Sequence, residues 1–141
     1  MSILRDERLV ALHDLVEACR GSESHAALAA ELMAEDPRAK ALQELAERRR
    51  ADADFFGARM IAEDDIPAGP PEERNLLQTA LARARAAFDN EGWDALVADC
   101  REQENLVRQQ AETAHSAPLR DDEKAAAQSL AADAAKSLQA L

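Results

Sequence analysis

The sequence predicts an all-α bundle, and three observations predict it. Strand formers are scarce, with 3% aromatic residues and no Tyr among 141 residues. Ala, Leu, Glu, Arg and Gln fill the chain, and these side chains lose little rotamer freedom in a helix. Apolar residues recur every three or four positions over long stretches, which gathers them on one face of a helix. The length is that of a single domain, 1–141, large enough to bury a core if several helices share it.

A first helix is expected over about 6–34, with Asp6 or Ser2 as its cap. Its apolar stripe runs Leu9, Leu12, Val16 and Cys19, skips one slot at Glu23, and resumes at Ala26, Ala30 and Met33. Glu23 is therefore expected to point a carboxylate at the core, where a cation, a metal or a donor must meet it. Glu35-Asp36-Pro37 ends this helix and opens a second, about 38–64, in which Leu42, Leu45, Phe56 and Met60 share a face. The run Pro67-Ala68-Gly69-Pro70-Pro71 closes it. A shorter third helix, about 72–88, carries Leu77, Leu81, Ala84 and Phe88. The fourth, about 91–115, presents Trp93, Leu96, Cys100, Val107 and Ala111, with Gln103 and Glu104 interrupting the stripe. The fifth, about 119–141, follows Pro118 and presents Ala127, Leu130, Ala134, Leu138 and Leu141.

Four of these helices are long. The third, at ~1.5 Å per residue, covers roughly 25 Å, enough to carry the chain from one end of a bundle to the other. The expected architecture is a four-helix bundle with a short crossover helix between the second and third long helices. This is the ferritin-like arrangement, in which the helices flanking the crossover run parallel.

Folding neighbouring helices on one another about their turns brings the interrupted stripes to one height. The expected mid-bundle polar layer is Glu23, Glu47, Arg49, Arg50, Asp52, Glu104, Asp133 and Lys136. In diiron proteins of this arrangement, two helices each give a Glu to the layer and the other two each give a Glu-x-x-His pair. Here the spacing reads Glu47-Arg48-Arg49-Arg50 and Asp133-Ala134-Ala135-Lys136, with cations where the imidazoles would stand. Arg and Lys do not ligate a metal at neutral pH, and they neutralise the same carboxylates. The expectation is a salt-bridged layer without a cofactor. The alternative is an iron site on Glu23, Glu47, Glu104 and Asp133.

The stretches LHDLVEACRGSESHAALAA (12–30), PRAKALQELAERRRADAD (37–54) and WDALVADCREQENLVRQQAE (93–112) resemble a bacterial ferritin-like four-helix-bundle family of unknown function. Leu12, Leu15, Glu17, Cys19 and Glu23 carry its opening motif, Glu47 and Arg48 its mid-chain Glu-Arg helix, and Asp99, Cys100 and Glu104 its third. Ala135-Lys136 departs from the His-Asp pair usual in the last helix of that family. The resemblance implies the fold and no established activity.

A net charge of −11 argues against nucleic acid, because such a binder needs a cationic surface to release counterions. It argues equally against an anionic membrane. No apolar run approaches the roughly 18 residues of a membrane span, and the first residues lack an apolar signal core, so a cytoplasmic location is expected. Cys19 and Cys100 lie on apolar stripes in no metal-type spacing, as buried free thiols do. Asp52-x-Asp54-x-Phe56-Gly57 through Glu63 has the frame of a calcium loop, but Phe56 fills a ligand slot and the segment continues a helical stripe. His13, His25 and His115 are scattered, and no Ser-His-Asp or Cys-His set can be assembled, so no catalytic residue is predicted. The expected role is non-enzymatic, a small scaffold or stress-related interaction protein. The Ala-rich end, 125–141, is where a homodimer would form; the sequence names no other partner.

Overall fold

The computed structural model describes residues 6–62 and 90–141. Four helices run through them: α1 Glu7–Leu32, α2 Arg38–Ala62, α3 Asn90–Ala114 and α4 Asp121–Ala140. No strand occurs among the described residues. The expected crossover helix over 72–88 and the Pro67–Pro71 break lie outside the described residues.

The helix starts follow from local chemistry. Asp6 caps α1 by accepting from the Arg8 N–H at 2.8 Å. Asp36 does the same for α2, accepting from the Arg38 N–H at 2.9 Å, with Pro37 in the turn between. At the start of α4 the Glu123 carboxylate reaches back to the Arg120 N–H at 3.0 Å. Each satisfies a backbone donor that the helix itself leaves unpaired.

α1 packs against both α2 and α3, α3 packs against α4, and α2 touches α4 only sparsely. The helices therefore form a ring in the order α2, α1, α3, α4. Side-chain bridges give their directions. Arg38 at the start of α2 meets Asp94 near the start of α3, and Arg49 further along α2 meets Glu104 further along α3, so these two run parallel across the diagonal. Arg8 and Glu123 join the starts of α1 and α4, the other parallel diagonal.

Two large apolar clusters and a small third one, Ala26, Leu45 and Ala46, fill the interior among the described residues. The largest gathers Leu12, Leu15 and Cys19 of α1, Phe56 and Met60 of α2, Val107 and Ala111 of α3, and Leu130 and Ala134 of α4. The second holds Ala29, Met33, Leu42, Leu96 and Cys100, with Trp93 half-buried against it. Between the largest cluster and the others, along α1, α2 and α3, stand buried polar residues: Ser22 between Cys19 and Ala26, Arg49 between Ala46 and Ala53, and Glu104 between Cys100 and Val107. The candidate site is this break in the core.

Candidate functional site

Arg49 occupies the centre of the break with none of its surface exposed, and Glu104 beside it is equally buried. The Arg49 Nε donates to both Glu104 carboxylate oxygens, at 2.9 and 3.2 Å, and its Nη2 donates to Oε2 as well. The rest of the guanidinium serves two more acids, Nη2 donating to Asp133 Oδ2 at 2.7 Å and Nη1 to Asp52 Oδ2 at 2.9 Å. Ser22 Oγ donates to Glu104 Oε1 at 3.0 Å, and Arg48 Nε reaches Asp133 Oδ2 at 3.0 Å from the solvent side. No buried side-chain N or O among the described residues lacks a partner.

One cation thus holds three carboxylates. Burial alone would disfavour charge on Arg49, but its bonds to Glu104 and Asp133 outweigh that and push its pKa up. Burial raises the Asp52 carboxyl, against the pull of Arg49. Burial also acts to raise Asp133, yet its hydrogen bonds from Arg49 and Arg48 win and hold it below its ordinary value.

Of the residues expected in this layer, the structure brings together Arg49, Asp52, Glu104 and Asp133. Glu23 is not among them, which corrects the expectation that it points at the core. It lies on the flank of α1, partly exposed, and accepts from Arg20 Nη1 at 3.0 Å. The inward slot belongs to Ser22. A helix turns 3.6 residues per revolution, so both the third and the fourth residue after Cys19 are candidates for the same face, and packing selects the smaller. Glu47, Arg50 and Lys136 are exposed and stand outside the layer. The Asp52–Gly57 frame is continuous helix within α2, with Asp52 bound to Arg49 and Asp54 to Arg20, so it is not a calcium loop; Glu63 lies outside the described residues.

A second buried pair went unforeseen. Arg8 donates from Nε and Nη2 to the two oxygens of Glu123, at 2.9 and 2.6 Å, and the Glu123 side chain is fully buried. The signal was present in the spacing. Arg8 lies one turn before Leu12 and Glu123 one turn before Ala127, so each apolar stripe begins with a charge, and the two charges are opposite.

Other candidates have simpler roles. Cys19 and Cys100 are free and buried; burial pushes both thiols up, Cys100 to about 12, which makes them poor nucleophiles. His25 Nδ1 bonds its own helix at Gly21 O, and His115 Nδ1 accepts from Gln128. His13, Asp14 and Glu17 form the one group of metal-capable donors within mutual reach among the described residues. The imidazole stands 3.6 Å from Asp14 and 3.8 Å from Glu17 on a partly exposed flank, which is ordinary pairing of helix neighbours. A groove of about 180 Å³ between the start of α1 and the end of α3 is smaller than a typical ligand pocket.

The layer does not fit a diiron centre. Both oxygens of Glu104 are engaged by a guanidinium, Asp133 is shared by two, and Glu23 and Glu47 are turned away. Comparison of the chain with family models, with curated proteins and with solved structures finds no match.

Proposed function

We propose that this chain is a non-enzymatic, ferritin-like helical bundle in which a buried arginine stands in place of the metal, serving as a small cytoplasmic scaffold or stress-related interaction protein. The observation that supports this most directly is Arg49. Its guanidinium fills the centre of the bundle and takes up the carboxylates a metal would need. The parallel run of α2 and α3 on one diagonal agrees with a ferritin-like path. With no nucleophile or base assembled in the interior among the described residues, this reading rests on the helix surfaces as the working parts. Self-association in this reading uses the outward alanines of α4, Ala125, Ala132 and Ala135, which light scattering would report.

Anaerobic titration with ferrous iron, followed by elemental analysis, tests the reading. The expected result is well under one iron per chain and an unchanged melting temperature, since a ligand that binds only the native state must raise it. Arg49→Ala serves as the internal control: freeing Glu104, Asp133 and Asp52 should let that variant, unlike the parent, gain stability from added Mn²⁺ or Fe²⁺. Two tightly held irons in the unaltered protein would overturn the proposal.

A further inference from the structure

α4 is attached to the bundle differently from the other helices. Among the described residues its buried apolar side chains are Ala127, Leu130 and Ala134, so a single apolar side chain larger than Ala is buried on its inner face. Apolar burial scales with area, and alanines supply little of it. Arginines of α1 and α2 donate across to α4: Arg8 to Glu123, Arg59 to Asp122, Arg48 to Asp133 and Ser137, and Arg49 to Asp133. The α2 and α4 backbones come close at few points, so these arginines reach across that seam beside the apolar cluster the two helices share.

The layer is also built so that α4 can leave without stranding a buried charge. If Asp133 departs, Arg49 keeps both oxygens of Glu104 and one of Asp52, and Ser22 still donates to Glu104. All of these partners lie on α1, α2 and α3. The large penalty for an unpaired interior charge is thereby avoided at this position. The connection His115–Arg120, which contains Pro118, supplies a short non-helical joint at which α4 can swing.

We propose that α4 is a releasable latch, an arginine-clasped helix that undocks as a unit from an α1–α2–α3 body that keeps its own Arg49–Glu104 pair. Release bares the apolar cluster that includes Phe56, Met60 and Val107, and ionic strength sets how often it happens. This device does not depend on the metal-free reading of the layer.

Amide hydrogen exchange on the whole chain, read by mass spectrometry, tests it. Raising NaCl from about 0.1 M to about 1 M shortens the screening length from ~10 to ~3 Å. The expected result is a joint rise in exchange along Asp121–Ala140, on the order of tenfold relative to α3, with α1 to α3 little changed. The double variant Arg48→Gln/Arg59→Gln, whose side chains are partly exposed, should produce the same selective rise at low salt. Protection of α4 equal to that of α3 would overturn the latch. So would a rise graded inward from Ala140, which is end fraying, or one indifferent to salt.

Discussion

At the scale of the residue, the polar layer sets one buried guanidinium against three carboxylates, and this imbalance fixes which of its substitutions hurts most. Arg49→Met leaves Glu104 buried with only Ser22 as donor and leaves Asp133 and Asp52 facing it. The expected cost is about 3–5 kcal/mol, the range for breaking a buried pair. Glu104→Gln keeps Arg49 paired with Asp133 and Asp52, so its cost should be smaller, ~1–3 kcal/mol. Urea melts at neutral pH compare the two, and a glutamine variant less stable than the methionine variant would contradict the geometry. Gly21 makes a second, milder case. A Cβ there would approach Gln103 Oε1 to 2.8 Å, but that atom ends a flexible side chain and can step aside. A mid-helix glycine costs about 1 kcal/mol relative to Ala, so Gly21→Ala should raise the melting temperature by a few degrees. A drop instead would mean that the Gln103 amide is fixed.

The element scale is where the sequence was most informative. At the ends that lie within the described residues, α1, the start of α2, the end of α3 and α4 fall within about two residues of the expected bounds, because Asp6, Asp36-Pro37 and Pro118 mark them chemically rather than statistically. The height of the polar break was legible too, since it follows from counting along helices of fixed rise. What counting along one helix does not supply is rotation. Choosing Glu23 over Ser22 required knowing how α1 is turned against α3, and that is settled by which side chain fits opposite Glu104. Glu47, Arg50 and Lys136, which the same counting places inward, face outward. Within an element, burial also governs reactivity. Cys19 on α1 and Cys100 on α3 are covered and their thiols held protonated, so a disulfide-exchange reagent at pH 8 should label native protein slowly and find two thiols at once after denaturation. Fast labelling of either in the native state would place that helix face in contact with water.

For the whole molecule, two opposing effects set the response to acid. At neutral pH a net charge of −11 repels itself, and protonating exposed carboxylates relieves that strain as pH falls. Against this stand Glu123 and Asp133. Hydrogen bonds from Arg8 hold the Glu123 carboxyl below its ordinary value; at Asp133 burial pushes upward, but Arg49 and Arg48 prevail and hold it down. A depressed native pKa means that the unfolded chain binds the proton more readily. The stability these two groups give is therefore complete above the unfolded carboxyl range and is lost as pH drops through it toward their native values. Asp52, raised by burial, works in the reverse sense and offsets part of the loss. Melting temperature should accordingly hold or rise slightly from pH 7 to about 5 and fall below about 4. Arg8→Gln isolates the Arg8–Glu123 contribution: it should be clearly destabilised at pH 7, where the fully buried carboxylate keeps only the more distant Arg59 at 3.7 Å as a cation, and the gap to the parent should narrow as pH falls through the carboxyl range toward the depressed native pKa of Glu123. A constant gap between the two melting curves from pH 7 to about 3 would show that Arg8 contributes by packing its aliphatic stem and not through its charge.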